Sequence, residues 1–361
     1  MITIFTPSFA DAANTNAQNL TVKEVVARLA PEKFHVEMLC ASAPDTRIAA
    51  RANTRLIRWA GRGNTLRLLG RFLRTRPDLY FFPREGQLES SFLWLRRHLQ
   101  LRTALLTYVV TTQENGPSSA VLARSIGEAD AVVGNSLYCS QTIAERYGKT
   151  ATTIYDGISR GVFYPPATGA RSGRSQLSVL YAGSFQARKR VHLVVQEAAK
   201  WPGVRFRLAG GGEEEGPCRL LAASLGCGNV EFLGHLPPMQ LGEEMRAADV
   251  FLFPSVIEGH PQVLGQAAAC GLPCIAMNVY RPDFVVDGET GFLVATAEEL
   301  SEKLQVLLTQ EELRGSMSEA AVRHAAKFDW DDVTKVWEQL FEVAVARRRS
   351  SLGMTTQEGP A

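Results

Sequence analysis

The chain has 361 residues, of which 45% are apolar and 21% charged, and its 39 basic and 37 acidic side chains leave a net charge of +2. Single domains cluster near about 100 to 200 residues, so the length implies two cores of similar size. The ordinary composition excludes general disorder and fibrous repeats, and the near-neutral charge excludes a nucleic-acid binder whose affinity rests on neutralising phosphates.

In chain order, ITIFTPSF reads as a β-branched strand, DAANTNAQN as a polar loop, LTVKEVVARLA as an amphipathic helix and FHVEMLCAS as a second strand. LYFFP, ALLTYVVT and AVVGNS follow as short apolar runs between helix-like segments, the rhythm of a parallel α/β sheet. Ile154 to Gln176, rich in Gly, Pro, Ser and Arg, reads as an interdomain linker. A second alternation runs from SVLYAGSF to GFLVA. Ligands of such sheets bind outside the carboxyl ends of the strands, which selects the loops AGSFQARKR, AGGGEEEG, LGHLPP and PSVIEGHP. Six cysteines (Cys40, Cys139, Cys218, Cys227, Cys270, Cys274) show no C-x-x-C spacing, so no zinc site or disulfide framework is indicated and a reducing cytoplasm fits. The start MITIFTPSF lacks a basic n-region, and no stretch approaches 18 apolar residues, so neither an export signal nor a membrane span is expected.

The residues then become specific enough to compare with a family. YAGSFQARKR (181–190), RLAGGGEE (207–214), VEFLGHL (230–236), AADVFLFPSVIEGHPQVLGQAAACGLP (247–273) and DGETGFLV (287–294) resemble, in order and spacing, the nucleotide-binding half of GT-B retaining glycosyltransferases of family 4. VVGNS (132–136) and TIYDGISRGVFYPP (153–166) are similar to the end of that family's acceptor domain and its hinge. The resemblance implies an α/β GT-B fold of two Rossmann-like, doubly wound domains facing across a cleft. The acceptor domain would span 1–165 and the nucleotide-sugar domain 166–328; a helix at 329–346 would cross back to the first domain, and 347–361 would be a disordered tail.

Each motif has a physical reading beside the resemblance. In GHPQVLGQ, Pro261 at the first helical position leaves the N–H groups of Gln262, Val263 and Leu264 without intrahelical partners, an end suited to a diphosphate. The resemblance implies that Glu258 contacts the donor sugar and that position 266 contacts the ribose. Gln266 stands where the family has glutamate, and an amide retains part of that contact. Lys189, with Arg188 or Arg190, would stabilise the leaving diphosphate as fixed cations without a metal ion or cofactor, unless the stretch is only a solvated basic turn. Ser184, after Gly183, stands where the family often has arginine. Gly210 and Gly211 would line the nucleotide as backbone, while Glu213 to Glu215 read as a solvated helix start. His235 and Leu236 lie near the expected base pocket, and His235 is either a ligand contact or a loop histidine. His260 is either a donor contact or a bystander beside the sugar.

On the acceptor side, Ala13 and Asn14 replace customary glycines. Gln113 stands where the family often has histidine, and it and Glu114 are candidate acceptor contacts or plain loop residues. Nine arginines (Arg47, Arg51, Arg55, Arg58, Arg62, Arg67, Arg71, Arg74, Arg76) occur with no acid from 46 to 77. They suggest either a solvated helix face or a peripheral contact with an anionic membrane carrying a lipid-linked acceptor.

The expected activity is retaining transfer of a sugar from a UDP- or GDP-sugar to the hydroxyl of a glycan, lipid-linked or small-molecule acceptor. The expected site is cytoplasmic, with peripheral membrane contact as an option and no nucleic-acid partner. A metal-dependent GT-A reading of Asp329-Trp330-Asp331 is set aside, because Asp329 reads as a helix N-cap and Asp332 as a first-turn acid. The remaining alternative is a catalytically silent nucleotide-sugar binder or partner subunit, suggested by Gln266, Ser184 and Gln113.

Overall fold

The computed structural model describes all residues except 14–16, 60, 62–63, 82–86, 111–118, 168–175 and 354–361. Two compact units result, one of Met1–Asp156 with Trp330–Ala361 and one of Gly157–Asp329.

The first unit runs β1 (Ile2–Phe9), α1 (Ala17–Arg28), β2 (Phe34–Cys40), α2 (Thr46–Ala49), β3 (Thr54–Arg58), α3 (Thr65–Thr75), β4 (Leu79–Phe81), α4 (Gln87–His98), β5 (Ala104–Val109), α5 (Ser119–Glu128), β6 (Ala131–Gly134), α6 (Leu137–Tyr147) and β7 (Thr152–Thr153). Its strands form one sheet in the order β3-β2-β1-β4-β5-β6-β7, each pair parallel. Helices cover both faces, so β5 is buried along its whole length and its sequence ALLTYV shows no polar alternation. Helix α6 starts where Ser136 Oγ accepts the Cys139 N–H and stops at Gly148, a left-handed C-cap.

The second unit runs β8 (Ser178–Ala182), α7 (Val191–Lys200), β9 (Arg205–Ala209), α8 (Glu215–Ser224), β10 (Val230–Gly234), α9 (Pro238–Ala247), β11 (Val250–Phe253), α10 (Gln262–Ala269), β12 (Cys274–Met277), β13 (Gly291–Val294), α11 (Ala297–Thr309) and α12 (Glu311–Ala325). Its parallel sheet has the order β10-β9-β8-β11-β12-β13. The chain therefore winds outward from β8 through β9 to β10, then returns to β8's other side with β11. This reversal opens a crevice between the loops after β8 and β11, the usual ligand position in such sheets.

The last helix, α13 (Trp330–Ser351), belongs to the first unit. Trp337 lies 5.2 Å from both Phe81 and Tyr108, and Phe341 lies 6.0 Å from Phe34, ring centre to ring centre. Among the described residues, no helix is long and apolar enough to cross a membrane.

Several local expectations need correction. Helix α1 begins at Ala17, inside the stretch read as a loop, and Asn19 Oδ1 accepts the Phe9 N–H at 3.2 Å. The stretch read as a linker is anchored at its start: Ile154, Asp156, Ile158 and Phe163 are buried, and Asp156 accepts from Thr21 Oγ1 at 2.6 Å and Tyr108 Oη at 2.8 Å. Helix α13 continues through Ser351, because Arg348 donates to Leu101 O at 2.6 Å and Arg349 pairs with Asp78 at 2.9 Å; Met354 to Ala361 lie outside the described residues. The arginine run is no single helix face. Arg51 donates to Ala27 O and Leu29 O, Arg71 pairs with Glu37, and Arg47 pairs with Asp45 and Glu24.

Candidate functional site

The loops after β8 and β11 meet at the switch point through charged side chains. After β8, residues Ala187–Lys189 form one tight helical turn, which brings Arg188 and Lys189 onto the loop that follows β11. Val256 N–H donates to Arg188 O at 3.0 Å, and Arg188 Nη1 donates to Ile257 O at 2.6 Å. Glu258 Oε1 then accepts from Lys189 Nζ, from Ser255 Oγ and, at 3.1 Å, from Arg188 Nη1. All three bonds end on Oε1, so the carboxylate is fixed through one oxygen and Oε2 remains its second acceptor.

Lys189 and Glu258 side chains are each 10% exposed, whereas Arg188 is 36% exposed. Burial lowers the Lys189 ammonium pKa, an effect that Glu258 opposes by its charge and hydrogen bond and that Arg188 reinforces. Lys189 also lies 5.0 Å over the Phe253 ring. Two cations against one carboxylate leave the cluster net positive.

The glycine-bearing loops sit beside it. Gly183 N–H donates to Ala209 O at 3.0 Å, Phe185 N–H to Gly211 O at 2.8 Å, and Gly210 N–H to Gly234 O at 2.7 Å. The carboxyl ends of β8, β9 and β10 are thereby stitched together. Gly210 has φ +126°, and a Cβ there would strike the Gly183 carbonyl, so no larger residue fits. Ser184 is exposed, and its carbonyl accepts from Tyr181 Oη at 3.0 Å. His235 is exposed and Leu236 half-buried just past β10.

Helix α10 supplies the third wall. Pro261 is its N-cap and not its first residue, so the helix starts one residue later than expected from sequence, and among the described residues no side chain caps the end. Leu264 N–H donates to Pro261 O at 3.0 Å, which removes it from the expected donors and leaves Gln262 and Val263 as the first-turn N–H groups. Gln262 Nε2 is buried without a hydrogen-bond partner among the described residues, as is the Tyr280 hydroxyl just past β12. Gln266 is half-buried one turn into the helix. His260 stacks on Phe284, 4.0 Å between ring centres, and Phe284 lies against Gly265, so the histidine packs into the wall.

Sequence reasoning missed Ser255 and Phe253. The spacing of Ser255 to Glu258 is that of a capping box, a signal available in the sequence. Ala13 is exposed after β1, whereas Asn14, Gln113 and Glu114 lie outside the described residues. Asp329 pairs with Arg160 at 3.9 Å and Asp331 with Arg28 at 3.0 Å, so both acids of the D-x-D are held by arginines. Among the described residues, no group of three or more His, Cys, Asp or Glu could hold a metal ion.

Comparison with known proteins gives this geometry a context. Residues 171–324 match the family model of glycosyl transferases group 1. The chain is 31% identical over 218 residues to the D-inositol 3-phosphate glycosyltransferase of Mycobacteroides abscessus, covering 56% of this chain and 49% of the relative. With the protein of that name from Mycobacterium tuberculosis H37Ra, identity is 34% over 230 residues, covering 58% and 48%. The chain spans about half the length of these curated relatives. Among solved structures, sucrose-phosphate synthase from Thermosynechococcus elongatus aligns over 96% of this chain and all of its own, with a TM-score of 0.78 and 20% identity. HepE from Anabaena in complex with UDP and glucose aligns over 95% of this chain and 99% of its own, with a TM-score of 0.76 and 16% identity. The fold is the α/β GT-B type, built from two Rossmann-like parallel-sheet domains.

Proposed function

We propose that this chain is a retaining glycosyltransferase that transfers a sugar from a UDP- or GDP-sugar to an acceptor hydroxyl, with fixed cations serving at the diphosphate in place of a metal ion. The observation that carries the reading is the Arg188–Lys189–Glu258 cluster at the sheet's switch point, beside the first turn of α10. The match to glycosyl transferases group 1 and the UDP-bound HepE structure support it.

In this mechanism the diphosphate lies across the N–H groups of Gln262 and Val263, with Lys189 and Arg188 donating to its oxygens. Glu258 Oε2 accepts from a sugar hydroxyl, and the Gln266 amide serves the ribose. Buried Gln262 Nε2 is a further donor whose desolvation is offset once it meets an oxygen. As the bond from anomeric carbon to phosphate oxygen breaks, its electron pair goes to the phosphate. The acceptor oxygen bonds the same carbon from the same face, and its proton passes to the departing phosphate. Charge develops on the diphosphate, where the two cations are already placed. The acceptor is a glycan, a lipid-linked sugar or a small molecule.

Incubation with UDP-glucose, UDP-N-acetylglucosamine and GDP-mannose in a chelator, with mixed sugar and inositol acceptors, tests this proposal. The expected result is release of one nucleoside diphosphate with an α-linked product. Tight nucleotide binding without sugar release from any donor would favour the silent binder instead.

A further inference from the structure

The amino-terminal edge of the first sheet, away from the strand carboxyl ends, holds two adjoining cavities that the transfer reaction does not use. The first, of about 690 Å³, is floored by Phe72, Leu73, Leu99 and Leu101 and has Arg76 and Arg102 among its lining residues. The second, of about 580 Å³, is lined in part by Arg97 and Arg348. Gln100 and Leu352 line both. Each volume suits a small-molecule ligand, for which pockets of roughly 300 to 1,000 Å³ are usual.

The charges here are not balanced within the unit. Asp130 is engaged by Arg96, Asp78 by Arg349 and Glu128 by Arg124. Arg76, Arg97 and Arg102 then have no acidic partner among the described residues. Arg348 gives Nε and Nη2 to Leu101 O, and burial together with the neighbouring Arg96 charge lowers its pKa. Helices α3, α4 and α13 all end at this edge, and basic residues at helix carboxyl ends are ordinary. That accounts for the last-turn arginines, but not for Arg102 in the following loop, nor for Leu99, which is 54% exposed beside half-buried Leu73 and Leu101 and above buried Phe72. Arg76 and Gln100, at φ +43° and +46°, hold left-handed positions where glycine is usual, which fixes two lining residues in place.

We propose that these joined cavities bind one anionic phospholipid, with its phosphate held by Arg76, Arg97 and Arg102 and an acyl chain lying along Phe72, Leu73, Leu99 and Leu101. A phosphate supplies the missing negative charge, and an acyl chain covers the apolar floor; neither alone satisfies both cavities. The inference does not depend on the transferase reading, since its site lies on the first unit and its test uses no sugar donor.

The test is sedimentation of the full chain with phosphatidylcholine vesicles, with and without phosphatidylglycerol, at low and high salt. Binding should require phosphatidylglycerol and weaken as salt rises. Arg102→Glu should lower partitioning by about fivefold or more, while Arg205→Glu, an equal charge reversal on the exposed surface of the second unit, should not. Equal losses in the two variants would reduce the effect to net charge and overturn the site. A soluble arm compares dihexanoyl phosphatidic acid with inorganic phosphate as thermal stabilisers, and the acylated ligand should act at far lower concentration. Equal potency of the two would overturn the phospholipid assignment and leave only an anion site. Unchanged melting of Arg102→Glu without ligand would show that the variant folds.

Discussion

Replacing Glu258 with alanine removes the acceptor shared by Lys189, Arg188 and Ser255, and the structure sets the size of the effect. Both members of the Lys189–Glu258 pair are nearly buried, so the variant leaves an ammonium in a dry pocket without its counter-charge. Breaking such a pair costs about 3 to 5 kcal/mol. The more exposed Arg188 contact adds at most about 1 kcal/mol. For a unit of this size each kcal/mol shifts the melting temperature by about 2 to 4 °C, so the transition of the second unit should fall by roughly 6 to 24 °C. A cycle of Glu258→Leu, Lys189→Met and the double variant Lys189→Met/Glu258→Leu isolates the pair. The double variant should melt closer to wild type than either single variant, because an apolar pair of similar volume removes both desolvated charges together. All three should lose sugar transfer. Thermal melts followed by circular dichroism provide the readout, and a Glu258→Ala protein that melts with wild type would refute the claim that this carboxylate holds a buried cation.

Three further outcomes follow from the same geometry. Gln266→Glu should tighten nucleotide binding by about tenfold, the difference between a neutral and a charge-assisted hydrogen bond to the ribose; unchanged affinity by calorimetry would remove position 266 from the ribose contact. Burial lowers the Lys189 pKa, so the ammonium deprotonates before an ordinary lysine does, and donor affinity should fall on an alkaline limb below pH ~10.4; Lys189→Arg should move that limb to higher pH, and a limb that stays put belongs to another group. Burial alone would raise the Asp11 carboxyl, but Ser42 Oγ, the Ser42 and Ala41 N–H groups and the Cys40 thiol together hold it below its ordinary value. The stability it adds is therefore present above the unfolded carboxyl pKa of about 3.9 and lost as pH falls through the lower folded value; acid unfolding of Asp11→Asn should lack that component.

The fold was legible because parallel strands buried on both faces read as unbroken apolar runs, as in ALLTYV and VFLF. Glu258, Lys189 and Arg188 were legible as charged residues in loops at strand carboxyl ends, although sequence alone did not show that they bond one another. Ser255 was obscured because its role depends on a turn that brings its hydroxyl onto Glu258 three residues later. The arginines of 46–77 misled because charge in sequence does not reveal which guanidiniums turn inward, as Arg51 and Arg71 do. The end of α13 was read as a tail for the same reason. Arg348 and Arg349 look solvated in sequence, yet they tie the last turn to Leu101 O and Asp78.

The most direct test of the central claim, that the Arg188–Lys189–Glu258 cluster and the first turn of α10 hold a nucleoside diphosphate, is calorimetric titration with UDP, GDP and ADP in the presence of a chelator. The account predicts saturable binding of one nucleotide by wild type, and its loss in the folded Lys189→Met/Glu258→Leu variant. Equal binding by that variant, or binding by wild type only after a divalent metal is added, would contradict it.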